Sequence, residues 1–326
     1  MVAVVILFII GLLCLIKGGD WFVDGATGIA HRFHVPELLI GATVVSIGTT
    51  LPEVMVSATS AISGHGEIAY GNALGSIICN AALIAALTIA IKPGKAEKKT
   101  LRMPILFFFA AMIFYAGTAY TTGYFSRMTG VILLAVFVVY MVLTVAQMKS
   151  VKADKATAAA AEAGENAAEE SMLREILLLV IGAALIAVGA RLLVDNGTKI
   201  AEAMGVPESV IALTFVALGT SLPELVTAIS SLAKGHGALS LGNVIGANLF
   251  NLVLVSGMSC TLAPFGIPAG KTLGGINASL VVDIPVCFGV MLLLSIPPLV
   301  KGKLYRAQGV ALLAGYAAFV AYNFMI

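Results

Sequence analysis

Charge is what this 326-residue chain has least of. Asp, Glu, Lys and Arg together supply 11% of it, against roughly a quarter of an ordinary soluble domain. A chain with so few charged residues cannot cover a water-facing surface. Cysteine is scarce too: Cys14, Cys79, Cys260 and Cys287 all sit in apolar runs without CxxC spacing, which argues against a disulfide framework or a thiolate metal centre and leaves buried free thiols. No HExxH, P-loop or Ser-His-Asp order is present, so nothing points to an enzyme. The period-2 alternation of an outer-membrane barrel is missing as well.

What is present is grease. Hydrophobic residues make up 60% of the chain and the mean hydropathy is +1.03. The apolar runs match the roughly 17–25 residues that cross a bilayer as helix, and they predict ten spans, approximately 2–17, 37–62, 68–91, 103–121, 128–147, 174–193, 207–233, 238–262, 281–300 and 305–325. The opening run has no basic n-region and no small-x-small cleavage site, so it is expected to be the first span rather than a signal peptide. With the N-terminus outside, 15 of the 19 basic residues, Lys17 and Arg32 among them, fall in inner loops, and only Arg127, Arg191, Lys199 and Lys271 lie outside. The positive-inside rule therefore predicts that both termini face away from the cytoplasm. Topology accounts for the basic residues, and no nucleic-acid partner is expected.

The chain is also doubled. Laying residue i on residue i+171 aligns Val23 to Asn80 with Val194 to Asn251 without a gap, and 24 of the 58 positions are identical. Each copy carries five spans, and an odd number makes the second copy enter the membrane from the opposite side. The expected architecture is an all-α integral membrane protein of ten transmembrane helices, arranged as two inverted five-helix repeats. The repeats are 1–147 and 174–326. The Ala- and Glu-rich stretch 148–173 between them is expected to be a disordered or partly helical cytoplasmic linker.

Each copy holds one motif that an apolar helix should avoid: GTTLPE at 48–53 and GTSLPE at 219–224. A carboxylate inside a membrane costs several kcal/mol and is by default functional. Glu53 and Glu224 fall near mid-membrane in matching spans, where the two-fold axis of the repeats would bring them together. Pro52 and Pro223 cannot donate to the carbonyls of Gly48 and Gly219, so the backbone is expected to unwind there. The freed carbonyls and the hydroxyls of Thr49, Thr50, Thr220 and Ser221 would then face one cavity. Asn80 and Asn251 add amide oxygens from the third and eighth spans, and Ser76 lies one turn before Asn80 on the same face. Such an oxygen cage suits a hard cation such as Ca2+. The competing reading is a pair of proline-kinked helices with protonated glutamates and asparagines acting as interhelical glue; duplication of the whole constellation weighs against it.

Other residues have structural explanations. The glycines of Gly64-His65-Gly66 and Gly235-His236-Gly237 read as helix C-caps. Asp24 and Asp195 read as interfacial caps or ion-pair partners, Asp283 as the N-cap of the ninth helix, and Trp21 as an interfacial anchor.

G-T-[TS]-L-P-E in each half, followed by G-N-x-[LI]-G-[SA]-x-x-x-N, resembles the sodium/calcium exchanger branch of the cation/Ca2+ antiporter superfamily, in particular its short prokaryotic type. The resemblance implies a cytoplasmic (inner) membrane protein with Ca2+ and Na+ as transported substrates and no resident cofactor. It implies ion ligands at Glu53, Glu224, Thr49, Thr50, Ser76, Thr220 and Ser221, backbone carbonyls from Ser46 and Ala217, and polar corners at Asn80 and Asn251. It also implies that the first and sixth spans form a long tilted pair that slides across the core. Asn251 stands where several relatives carry Asp, which argues against potassium coupling, and Ala247 stands where some carry Ser. The expected activity is Na+/Ca2+ antiport by alternating access in the direction of Ca2+ efflux. A Ca2+/H+ antiporter using the same glutamates and a passive cation channel are the alternatives.

Overall fold

The structure, a computed structural model, describes residues 1–159, 168–204, 219–270 and 272–325. The middle of the expected linker, the first half of the seventh span and Ala217 lie outside the described residues. Among the described residues ten helices follow one another: α1 Val2–Arg32, α2 Glu37–Ile62, α3 Gly66–Ile91, α4 Lys98–Thr122, α5 Arg127–Ala159, α6 Ala168–Ala203, α7 Leu222–Ala233, α8 Gly237–Leu262, α9 Ser279–Lys301 and α10 Arg306–Met325. Eight of these are long and apolar enough to cross a membrane. Helical backbone extends into the expected linker from both sides, to Ala159 and from Ala168.

The helices form two compact units, Met1–Thr49 with Thr144–Asn243 and Thr50–Leu143 with Val244–Ile326. Each unit draws on both copies of the repeat, and the division falls inside α2, α5 and α8.

In the first unit the dominant contact is between α1 and α6. The apolar run ends at Ile16, but the helix continues through Lys17-Gly18-Gly19-Asp20 to Arg32. Lys17 and Trp21 therefore lie within a helix rather than at its end. At about 1.5 Å per residue, a 31-residue helix is about 46 Å long, well beyond the ~30 Å of hydrocarbon in a bilayer. The glycines that look like a break are packing sites. A Cβ at Gly18 would stand 2.9 Å from the Gly182 carbonyl oxygen, one at Gly11 2.9 Å from the Leu193 nitrogen, and one at Gly25 2.5 Å from the Leu179 nitrogen. Gly182 and Gly189 meet α1 in the same way. Glycines seven residues apart on both helices keep one seam facing the partner, so the two backbones touch along an antiparallel line. Phe22, Val23, Ala26 and Ile186 fill the spaces beside the seam.

Ion pairs close one end of this unit. Arg32 donates to both carboxylate oxygens of Glu175, at 2.8 and 3.2 Å. Lys234 lies 2.8 Å from Asp24 and 3.6 Å from Asp20, and His236 Nδ1 lies 2.9 Å from Glu37. Asp24 is thus the ion-pair partner expected of it, and Asp195 pairs with Arg191 at 3.7 Å on an exposed helix face. Gly64 and Gly235 adopt φ of +85° and +88°, the left-handed conformation of a helix-terminating glycine.

The second unit is stitched by aromatic rings. Tyr115 stacks on Phe125 with centroids 4.3 Å apart, and Tyr70 and Phe265 flank the pair. The short strands Tyr124–Phe125 and Phe265–Gly266 pair antiparallel beside them. Gly309 of α10 meets the backbone of α3 at Ala86 and Ala90.

Two expectations need correction. Asp283 is not the start of the ninth helix: helical backbone begins at Ser279 with a wide π-turn, Asp283 makes no side-chain capping bond, and the Asn277 side chain instead accepts from the Ser279 N–H at 2.8 Å. An Asn two residues ahead of a free helical N–H does locally what Asp283, already in helical geometry, cannot. The second concerns the first proline motif. α2 stays helical through Pro52, and its irregular turn is a π-helical stretch upstream, at Gly41–Val45.

The close approach at that turn gives a direct test. A Cβ on Gly242 would collide with the Leu38 carbonyl oxygen, where only backbone could yield. Gly242→Ala is expected to destabilise the protein by about 1–3 kcal/mol through overpacking, seen as a lower Tm and loss of the monodisperse peak in detergent. Gly117→Ala, at an exposed helical site with open space around it, is expected to hold or raise Tm, consistent with the ~0.5–1 kcal/mol helix preference of Ala over Gly.

Candidate ion-binding site

Polar side chains in this protein are sorted against the usual gradient. Apolar residues of α1, α5 and α6 face outward, whereas the almost wholly buried α8 carries Ser240, Asn243, Asn248 and Asn251 inside. Burying a hydroxyl or amide without a partner costs about 1–3 kcal/mol, so a cluster of them marks a place built to hold something polar.

In the first unit the cluster starts where α2 and α8 touch. The contacts at Gly41 and Gly242 bring the two backbones together, and that proximity carries Ser46 and Thr49 to Asn243. Ser46 Oγ lies 2.7 Å from the Gly41 carbonyl, 3.0 Å from the Asn243 carbonyl and 3.3 Å from Asn243 Oδ1. Thr49 Oγ1 donates to the same Oδ1 at 3.2 Å and lies 3.5 Å from the Ser46 carbonyl. The Asn243 Nδ2 group is left without a partner among the described residues. On α7, Glu224 is fully buried, Ser221 is buried, and Thr220 is half-buried.

At the second proline motif a helix begins, while the residues before Gly219 lie outside the described ones. Ser221, with φ −91° and ψ 5°, is the N-cap of α7, Pro223 sits in the first turn and Glu224 at the third helical position. S-x-P-E in this register could be a mere capping box, in which Ser221 would accept from the backbone N–H of Glu224. It is not one here: Ser221 makes no side-chain capping bond, and its hydroxyl is buried without a partner among the described residues. The local interaction that would explain the sequence by secondary structure alone is therefore not made. Glu224 gains favourable proximity to the positive end of the helix dipole.

In the second unit Glu53 is fully buried on α2. One turn on, Ser57 Oγ accepts from Asn72 Nδ2 at 2.8 Å, and the same amide donates to the Glu53 carbonyl at 3.3 Å. Asn72 thus pins the backbone that carries the carboxylate. Ser76 and Asn80 follow on α3, both buried, and Asn251 is buried on α8. The side-chain amides of Asn80 and Asn251 and the hydroxyl of Thr50 have no partner among the described residues. Asn80 and Asn251 each open a π-helical turn, Asn80–Ala85 and Asn251–Val255. A π-turn disturbs the regular backbone ladder and is frequent at functional positions. Here it recurs at repeat-equivalent residues, each carrying an amide oxygen.

Of the expected site residues, Ser46, Thr49, Thr220, Ser221 and Glu224 thus belong to the first unit, and Thr50, Glu53, Ser76, Asn80 and Asn251 to the second. Three polar positions beside these residues escape the motif reading. Asn72 and Asn243 stand opposite each other in the repeat alignment, inside the G-N pair of the second motif, so their signal was available. Asn248 is buried, donates to Met291 Sδ at 3.0 Å and leaves its Oδ1 without a partner among the described residues. Its repeat equivalent is Ile77, so no symmetry flags it. Among the described residues no three His, Cys, Asp or Glu side chains are grouped to hold a metal. Within each unit a single buried carboxylate is accompanied by neutral oxygens, the donor chemistry of hard cations.

Comparison with known proteins agrees with that chemistry. The sequence profile of the family described as "Sodium/calcium exchanger protein" matches residues 3–146 and 174–325. The chain is 32% identical to the sodium/calcium exchanger MaX1 of Methanosarcina acetivorans, over 98% of both sequences. It is 34% identical to the putative antiporter CaxA of Alkalimonas amylolytica, over 100% of this chain and 99% of the relative. A solved structure of the sodium-calcium exchanger NCX_Mj, soaked with Na+ and Sr2+, shares 33% identity with a TM-score of 0.83 and 98% coverage of each chain. The fold class is accordingly an all-α integral membrane protein of ten transmembrane helices in two inverted five-helix repeats. The chain is a multi-pass membrane transporter of the cation/Ca2+ antiporter kind, and it belongs to the sodium/calcium exchanger family.

Proposed function

We propose that this protein exchanges Na+ for Ca2+ across the cytoplasmic membrane of a prokaryote by alternating access, in the direction of Ca2+ efflux. The observation that carries this is the complete burial of Glu53 and Glu224, repeat-equivalent carboxylates, each beside hydroxyls or amides that are buried with it. Their two negative charges suit one Ca2+, or several Na+ in its place. An empty form would hold two bare carboxylates in a medium that penalises them, so crossing between the two faces is favoured only when cations are bound. Exchange follows from that exclusion. Thr49, Thr50, Ser76, Thr220, Ser221, Asn80 and Asn251 supply neutral ligands, with carbonyls from Ser46 and Ala217.

Sodium rather than protons is favoured as the counter-ion by the abundance of neutral oxygens. A proton would need only the carboxylates, whereas Na+ needs a shell of five or six oxygens. Asn251 keeps the site at two carboxylates, which argues against a further coupled K+. No resident cofactor takes part: Ca2+ and Na+ are the cargo. Any net charge moved per cycle gains about 2.3 kcal/mol per elementary charge for each 100 mV. Both termini lie outside the cytoplasm in this reading.

Three outcomes are expected. In proteoliposomes preloaded with Na+, 45Ca2+ uptake should be strong, and it should be absent with K+ inside or with a pH gradient alone. Glu53→Gln and Glu224→Gln should each cut it at least a hundredfold; uptake driven by the proton gradient would instead make the protein a Ca2+/H+ antiporter. Asn243→Leu should leave Ser46 and Thr49 without their shared acceptor. At about 1 kcal/mol per lost bond, the initial rate should fall roughly tenfold, whereas a rate within twofold of wild type would remove Asn243 from the site. Lastly, a C-terminal alkaline phosphatase fusion should be active and a C-terminal green fluorescent protein fusion dark.

A further inference from the structure

Helical hydroxyls in this protein have a habit, and a few buried ones break it: Thr50, Ser240 and Ser295 one to a helix, and Thr227 and Ser231 together on α7. Thr27, Thr43, Thr59, Ser259 and Thr261 each donate to the carbonyl four residues back, at 2.7–2.8 Å. That is the ordinary way for Ser or Thr inside a helix to satisfy its O–H. Thr227 and Ser231 on α7 do not: both are 0% exposed, and neither hydroxyl has a partner among the described residues. An O–H that forgoes the carbonyl within its reach and is shielded from solvent is held for another purpose or at a cost.

Their position suggests the purpose. Glu224, Thr227 and Ser231 are spaced i, i+3 and i+7, so they form one stripe along α7, with Thr227 about 4.5 Å and Ser231 about 10.5 Å beyond the carboxylate toward the Lys234 end. The stripe is not the face that meets α1. A Cβ on Gly19 would touch Val226 and Ser230, which lie about 110° around the helix from it. The repeat shares only half of the hydroxyl pair in sequence and none of its burial. The residues equivalent to Thr227 and Ser231 are Val56 and Ser60; Val56 is 39% exposed and Ser60 is not buried. The second copy alone has turned hydroxyls inward at these positions.

We propose that Thr227 and Ser231 form a staging site for a monovalent alkali cation, through which Na+ passes between Glu224 and the Lys234 end of α7. This rests on the antiport reading above. Two hydroxyl oxygens without a carboxylate suit a partly hydrated Na+, whereas Ca2+ finds its charge balance only at the glutamate. The site makes the two faces of the transporter unequal in their handling of Na+, although the repeat motifs themselves are nearly equal.

The test is side-resolved transport. Thr227→Val, Ser231→Ala and the double variant are reconstituted in proteoliposomes of known orientation, and half-saturation is measured for Na+ and for Ca2+ on each face separately. The expected result is a rise of at least threefold in half-saturating Na+ on the Lys234 face, with a smaller change on the other face and for Ca2+. Thr227→Ser, which keeps the hydroxyl, should restore the wild-type value. Equal shifts for both ions or on both faces would indicate a merely structural role and overturn the proposal, as would no shift at all. A wild-type protein without Na+ dependence would overturn the staging site and the antiport reading together, whereas Na+-dependent wild type with unshifted variants would overturn only the former. Should Thr227→Val fold poorly, Ser231→Ala alone still decides, because a single oxygen is removed. Na+-dependent protection against thermal unfolding gives an independent readout, expected to weaken in the same variants.

Discussion

Everything in this chain is arranged around the cost of keeping two carboxylates out of water. An apolar helix can carry a glutamate at mid-membrane only if the surroundings offset several kcal/mol, and the polar residues of the protein are concentrated where they can do so. Glu224 takes the first turn of α7, where the helix dipole favours a negative charge. Glu53 lies inside a helix and lacks that advantage. Asn72 fixes the backbone that carries it, donating to its main-chain carbonyl and to Ser57. The same constraint, met twice in duplicated sequence, has been answered by two different local structures.

The close packing that delivers these residues depends on glycine. Without a hydrophobic driving force between helices in lipid, association relies on van der Waals contact and interhelical hydrogen bonds, and small residues let backbones approach. Gly41 and Gly242 do this for α2 and α8, and Ser46 and Thr49 reach Asn243 as a result. Gly11, Gly18, Gly25, Gly182 and Gly189 do it for α1 and α6 along a seam of constant period. Backbone packed directly on backbone along that seam is why so much of the first unit is a single two-helix contact.

Much of this was legible in the sequence. The gap-free repeat placed both glutamates, and the span of the second helix, 37–62, coincides with α2. Asn80 and Asn251 each open a π-turn, a local irregularity that leaves no mark in the sequence. The misreadings share one cause: residues judged by local propensity were serving tertiary contacts. Lys17-Gly18-Gly19-Asp20 looks like a helix end by composition, yet the helix runs on because Gly18 is needed against Gly182. Pro52 looks like a break, yet α2 passes through it and places its irregular turn at Gly41, against α8. Asp283 looks like a cap, yet Asn277 has taken the role from outside the helix. Asn248 could not have been found by symmetry, because its counterpart is Ile77.

The difference between the copies bears on how the two halves divide the work. A perfectly symmetric pair of inverted repeats would handle its ions alike from either face, since reversing the molecule would reproduce it. The sequence departs from symmetry at Ser46 against Ala217, Ser76 against Ala247, Ser57 against Ala228 and Ile77 against Asn248, while both glutamates and both asparagines of the G-N pairs are kept. The kept residues are the two carboxylates and the two amides; each changed residue adds or removes a single neutral oxygen. On the antiport reading proposed above, charge would select the cation for the protein as a whole, and the neutral oxygens would adjust how each face holds it. With the charge fixed by duplication, the hydroxyls and amides are the part of the structure free to make the inner and outer faces differ.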